Sequence, residues 1–258
     1  MFRTLLVAAA ISSGCTYVEH VHVHAPALNT ASKTATTTEP RFPMEDPLDG
    51  VVRIASINGE CSGTVIGDRL VITARSCFDR ITSEKTFARD RIRARLGGGA
   101  VAWKIVPVMA VLSAPCTGIS VMVTDEPIRD APALRMRLGA EVAIGEPVRV
   151  IGFGRCSGSS TGSRAVGFAG HVRELDDATF RTDAPACGGD AGGPLISDWT
   201  GEVVGVLQGE PITSDSNQPA ATGAGFAARI DVARGLLAQA FLVAHGVEPE
   251  QLPPIACP

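Results

Sequence analysis

The 258-residue chain lacks most features that would assign a function at once. It has no run of lysine and arginine, and its formal net charge is −4, which argues against a nucleic-acid partner. No apolar stretch approaches the ~20 residues needed to span a bilayer. The C-x-x-C spacing of zinc sites is missing. There is no internal repeat, and no cofactor is expected. Charged residues are scarce at 19% against 45% hydrophobic, a balance that suits a folded protein rather than a disordered one. The length leaves room for one domain of about 200 residues with a double core, or for two small domains.

What is present begins with a targeting segment, residues 1–14. Arg3 precedes the apolar run Thr4 to Ile11, and the small residues Ser12, Ser13 and Gly14 lead to Cys15. A basic start, a short apolar core and small residues describe a secretory signal. "ISSGC" also resembles a bacterial lipoprotein cleavage site, in which Cys15 becomes the lipidated first residue. That pattern prefers leucine where Ser12 stands, and ordinary cleavage with an incidental Cys15 is the alternative. A lipid would be the chain's sole attachment to a membrane. Export implies an oxidising compartment, and setting Cys15 aside leaves six of the seven cysteines, an even set with 15 possible pairings.

Residues 15–47 read as a tether rich in Thr, Ala, Ser and Pro. Its start, "EHVHVHAP", alternates His20, His22 and His24, which an extended chain would place on one side. Such imidazoles could bind Zn²⁺, Cu²⁺ or Ni²⁺. A polar linker with incidental histidines is the favoured reading, because structural sites want a closed ligand set.

From Val51 the pattern changes to about ten short apolar or alternating runs between turn residues: "VVRIAS", "SGTVIG", "RLVITA", "AVAWKIVPVMAV", "GISVMV", "EPVRVIGFG", "AVGFAGHVREL", "GPLIS", "EVVGVLQG" and "GAGFAARI". Short strands with Gly/Pro punctuation predict an all-β sandwich or barrel. One helix closes the set, capped by Asp231, with a stripe of Val232, Leu236, Leu237, Ala240, Val243 and Ala244, and ended by Gly246. Residues 247–258 form a Pro-rich tail.

The segments "CSGTVIGDRLVITARSC", "VRVIGFGR" and "CGGDAGGP", followed by "GEVVGVLQG", occur in an order and spacing that resemble the trypsin/chymotrypsin family of serine proteases. That family carries "CGGTLI", "LTAAHC", "DIALL", "GWG", "GDSGGP" and "GVVSWG" in the same succession, then a C-terminal helix. The resemblance runs from about Val51 to Gly246. It implies an all-β fold of two six-stranded antiparallel barrels, here a trypsin-like domain over 48–246 with barrels over about 48–130 and 140–246. The functional residues would lie in the cleft between them.

The same resemblance places the catalytic histidine on Ser76, the aspartate on Gly118 and the serine on Ala191. On this reading all three side chains are lost. The histidine count agrees, because none occurs between His24 and His171, so the first barrel has no imidazole to offer. Loss of a whole triad costs about 2 × 10⁶ in turnover in a subtilisin-type protease, or about 8.6 kcal/mol of transition-state stabilisation. Ser76 as a substitute nucleophile would need a base, and neighbouring Arg75 stays protonated at neutral pH.

The backbone of Gly189 and Ala191 would form the oxyanion hole, and the specificity pocket would involve Pro185, Gln208, Gly209, Glu210 and Gly225. A proline at the pocket base gives no support to tryptic specificity. Asp190 has no Ile-Val amino terminus to pair with, and Arg155 is its candidate partner. The implied disulfides are Cys61–Cys77, Cys156–Cys187 and Cys116–Cys257. The first closes a loop of about 15 residues, a contribution of ~3 kcal/mol in the chain-entropy picture. The expectation is an exported, non-catalytic relative that binds a protein or peptide in the inter-barrel cleft, around Gly189, Ala191 and Gln208. A hydrolase using non-standard residues and a purely structural envelope protein are the alternatives.

Overall fold

A computed structural model describes residues 46–56, 59–78, 93–96, 104–114, 116–154, 164–208 and 224–255. Residues 1–45, which include the expected signal segment and most of the expected tether, and the stretches between these ranges lie outside the described residues; the last two positions of the expected tether, Asp46 and Pro47, are described, as the cap and the first residue of the 3-10 turn Pro47–Gly50. The first six strands are β1 (Val51–Ser56), β2 (Gly59–Gly67), β3 (Leu70–Ala74), β4 (Arg93–Leu96), β5 (Lys104–Ser113) and β6 (Ile119–Thr124). They close a barrel in the order β1-β2-β3-β6-β5-β4. The next six are β7 (Pro147–Gly152), β8 (Ala165–Leu175), β9 (Thr179–Pro185), β10 (Pro194–Ser197), β11 (Val203–Gln208) and β12 (Ala224–Arg229). They close a second barrel in the order β10-β11-β12-β9-β8-β7. Every pairing between these strands is antiparallel. The all-β expectation and the two six-stranded barrels are both found.

Each of the ten apolar runs contains a strand, and the structure adds two more. In β9 the residues Phe180, Thr182 and Ala184 are buried while Arg181 and Asp183 are exposed. That is the period-2 signature of a half-buried strand, but its polar members hid it. In β4 just two residues, Ala94 and Leu96, fill the core.

The helix α1 (Arg234–Ala244) buries Leu236, Leu237, Ala240 and Val243. It follows β12 of the second barrel, yet these residues join the hydrophobic core of the first, with Val121, Met122 and Val123 of β6. Asp231 does not cap it. The residue preceding the helix is Ala233, without a side-chain cap, and the Asp231 carboxylate instead takes two hydrogen bonds from Arg229, at 3.1 and 2.6 Å. A buried guanidinium outcompetes a backbone N–H for that carboxylate, since charge-assisted bonds are the stronger. Gly246 does end the helix, at φ +95°, a conformation that glycine adopts at little cost. Beyond it, Leu252 and Ile255 of the tail pack against the first core. No helix among the described residues is long and apolar enough to cross a membrane.

Candidate functional site

The loop that follows β3 is a short 3-10 turn, Arg75–Cys77, which leaves Ser76 exposed. Its Arg75 N–H donates to the Gly118 carbonyl at 2.8 Å, which ties the turn holding Ser76 to the residue before β6. Gly118 sits at φ +67° just before β6. A Cβ built there would come within 2.9 Å of Gln208 Oε1 and 3.2 Å of its Cδ. The Gln208 side chain, steadied by a 3.0 Å bond from Nε2 to the Val206 carbonyl, therefore fills the volume that a side chain at 118 would enter. Ala191 completes the group, because Cys77 Sγ, one residue from Ser76, lies 3.8 Å from the Ala191 carbonyl oxygen. The structure thus brings Ser76, Gly118, Ala191 and Gln208 together.

Barrel one bonds the loop around Ala191 at several points through Ser62. Ser62 of β2 is fully buried. Its N–H donates to the Ala191 carbonyl at 2.7 Å. Its hydroxyl donates to the Gly189 carbonyl at 2.8 Å and accepts from the Phe153 N–H at 2.9 Å. Thr73 Oγ1 donates in turn to the Ser62 carbonyl at 2.7 Å. Sequence reasoning did not find this residue. The available signal was the departure of "CSGT" from the family's "CGGT". The packing of the loop leaves no room at Gly192, where a Cβ would lie 2.0 Å from Thr73 Oγ1 and φ is +84°.

Asp190 is 5% exposed. Its Oδ1 accepts from the Gly154 N–H at 2.7 Å and its Oδ2 from the Cys187 N–H at 3.0 Å. Gly152 and Gly154 are glycines because a Cβ on either would come 2.4 Å from the carboxylate. Burial pushes the Asp190 carboxyl above its ordinary 3.8, and the two amides offset part of that shift. Arg155, the expected partner, lies outside the described residues.

The amides of this loop divide into two sets. Asp190, Gly192 and Gly193 donate to the carbonyls of Cys187, Leu207 and Asp190. Among the described residues, the amides of Gly189 and Ala191 donate to none. Gly189 has φ +104°, and both residues are half-buried. These are the two amides expected to form the oxyanion hole.

Of the pocket positions, Pro185 ends β9 opposite Ala224. Gly225 is buried, with space for a Cβ only at 3.0 Å from Thr182 Cγ2. Gly209 and Glu210 lie outside the described residues. Both described histidines are exposed. The His171 N–H donates to Asp183 Oδ1 at 2.5 Å, and the His245 ring stacks on Phe241 with centroids 4.1 Å apart. The Cys61–Cys77 disulfide is formed. Cys116 and Cys187 are both disulfide-bonded; their expected partners, Cys257 and Cys156, lie outside the described residues. So do Cys15 and the His20, His22 and His24 run. No metal-ligand cluster occurs among the described residues.

Comparison with known proteins agrees with the architecture. A serine endoprotease from Yersinia pestis superposes with a TM-score of 0.56 at 18% identity, over 75% of this chain and 63% of that one. The chain thus spans less than two thirds of that enzyme. A scabies mite inactivated protease paralogue, S-D1, superposes at 0.58 and 19% identity, over 78% of this chain and 94% of that one. At such identities the likeness concerns the fold. No curated protein sequence matches. The model of the trypsin-like peptidase domain matches residues 61–206. That match covers more than half of the chain and runs from the disulfide of β2, through the loop holding Ala191, into β11, and so the chain belongs to the trypsin-like peptidase family, as a relative of the trypsin/chymotrypsin serine proteases.

Proposed function

We propose that this trypsin-like chain is a non-catalytic binding protein whose inter-barrel cleft takes a protein or peptide. One observation carries the reading. The turn holding Ser76 is bonded to Gly118 and lies beside the Ala191 carbonyl, and the amide of Gln208 lies in the space a side chain at 118 would need, which supports reading these positions as the altered catalytic ones. A methyl group at 191 cannot attack a carbonyl. The hydroxyl of Ser76 needs a base within hydrogen-bond reach, and its neighbour Arg75 remains protonated. Pro185 and Gly225 offer no charge to read a lysine or arginine side chain. Export fits the N-terminal apolar run and the Cys61–Cys77 disulfide, which persists in oxidising compartments, and a lipid on Cys15 would anchor the protein to the envelope.

The test is a fluorophosphonate probe applied to the purified chain, read by mass spectrometry. No serine is expected to be labelled. Covalent labelling of Ser76, or of any other serine in the cleft, would show an activated hydroxyl and overturn the reading.

A further inference from the structure

The outer face of the first barrel leaves one half-buried cation uncompensated. Arg95 stands in β4 between Ala94 and Leu96, which fill the core, so its own side chain points to the outer face. The strand register sets it directly between Arg53 of β1 and Ile105 of β5. Arg53 is engaged: Glu60 Oε1 lies 3.5 Å from its Nη1, and its guanidinium stands 5.3 Å from the centre of the Phe153 ring. Arg95 is half-buried, and among the described residues its side chain has neither an ion pair nor a hydrogen bond. Its Nε is shut from solvent and unbonded, which leaves the two Nη nitrogens as its open donors. Other buried guanidinium groups are treated differently, since those of Arg137, Arg164 and Arg229 each hold a carboxylate. None of β1, β4 and β5 contains an acidic residue.

We infer that the Nη edge of Arg95 receives the carboxylate of a glutamate or aspartate on a protein partner, while an apolar residue of that partner covers Ile105. A charge drawn partly out of water without a counter-charge is costly, and a carboxylate on the open Nη donors would remove that cost. Residues directly opposite on antiparallel strands have Cβ atoms about 5 Å apart, so Arg53 adds to the positive potential at Arg95 and favours an anion there. The planar fork of a guanidinium matches the two oxygens of a carboxylate. Ile105, the next residue of the same row, is 54% exposed. A small hydrated anion would gain nothing from it, whereas a polypeptide can cover it and exclude water from the ion pair, as around an interface hot spot. The site includes none of Ser76, Gly118 and Ala191, and stands whether or not the cleft turns over peptides.

The test uses the full chain labelled with ¹⁵N-arginine and ¹³C-methyl isoleucine and three probes: acetyl-Glu-Leu-Glu-Leu-amide, its counterpart acetyl-Gln-Leu-Gln-Leu-amide, and sodium sulfate at matched ionic strength. The acidic peptide is expected to shift the Arg95 Nε–H and Ile105 methyl resonances to saturation, and to bind about tenfold more tightly than the glutamine peptide. Sulfate is expected to bind more weakly than the acidic peptide and to leave Ile105 unmoved, which distinguishes a polypeptide carboxylate from a free oxyanion. Arg95→Gln is expected to abolish the tenfold preference without lowering the urea midpoint, because it removes no ion pair from the folded chain. Silence of Arg95 and Ile105 with the acidic peptide would overturn the inference. So would equal affinity for the two peptides, or sulfate as tight as the acidic one. A lowered midpoint in Arg95→Gln would overturn it as well, by showing that the guanidinium already has its partner within the chain.

Discussion

The second barrel buries two carboxylates at opposite ends of one strand and treats them in opposite ways. Glu146 stands just before β7 and is 1% exposed. Burial opposes its charge, but it accepts a bidentate pair from Arg137, both bonds at 2.8 Å, with further bonds from the Ser197 side chain and the Ala143 amide. Its carboxyl is held below the ordinary 4.5. Asp190 meets Gly152 and Gly154 at the other end, is almost as buried, and has two amides for partners. Its carboxyl is pushed up. Two things make the difference: Glu146 has a guanidinium for a partner, and Asp190 lies deeper among protein atoms, where burial weighs more against its charge. One end of the barrel compensates its charge, while the end beside the cleft holds a carboxylate against its own burial and orders the Ala191 loop around it. A buried carboxylate held at a local cost beside the Ala191 loop accords with the binding role proposed for that loop.

The largest effect should come from breaking the compensated end. Glu146→Ala leaves the Arg137 guanidinium, 12% exposed, without its carboxylate, and is expected to cost about 3–5 kcal/mol in urea unfolding. A cost below about 1 kcal/mol would mean that the pair behaves as a surface salt bridge.

Next in size is Gly154→Ala, which drives a methyl group to 2.4 Å from the Asp190 carboxylate. The expected loss is about 1–3 kcal/mol, accompanied by movement of the Gly189 and Ala191 amide resonances. An unmoved loop would show that Asp190 does not order it.

The smallest effect is a change of slope with pH. A carboxyl lowered by folding, like that of Glu146, contributes stability that is full above 4.5 and lost as the pH falls through its depressed folded value. A carboxyl raised by folding, like that of Asp190, costs nothing below 3.8 and weighs progressively more as the pH rises to its elevated folded value. The penalty of Glu146→Gln should therefore shrink on acidification. The stability of Asp190→Asn relative to the parent should instead fall on acidification, because the parent recovers its burial cost as it takes up a proton. Denaturant unfolding of the three proteins between about pH 3 and 7 separates these slopes. Slopes of the same sign would erase the distinction between the two ends.

Much of this was legible in the sequence, for physical reasons. Alternating apolar runs between Gly and Pro fixed ten strands, because burial on one face imposes period 2. The strand β9 obeys the same period, but Thr182 and Asp183 disguise it, and β4 is too short to show one. The glycines of "GFG" and "CGGDAGG" signalled a crowded loop, though not that Gly152 and Gly154 yield to a carboxylate. Asp231 was misread as a cap because local spacing cannot reveal that Arg229, two residues earlier, turns back to claim it. The converging positions 76, 118 and 191 followed from motif order. The role of Gln208 did not, since no sequence pattern tells that a side chain on β11 occupies the space opposite Gly118.

The account turns on the absence of peptide turnover. Incubation of the pure chain with a pool of casein-derived peptides, followed by mass spectrometry, tests it most directly. The expected result is no cleavage above the buffer control, for the parent and for Ala191→Ser alike, because on the proposed reading a hydroxyl at 191 has no base to activate it. Cleavage by the parent that disappears in Ser76→Ala would contradict it.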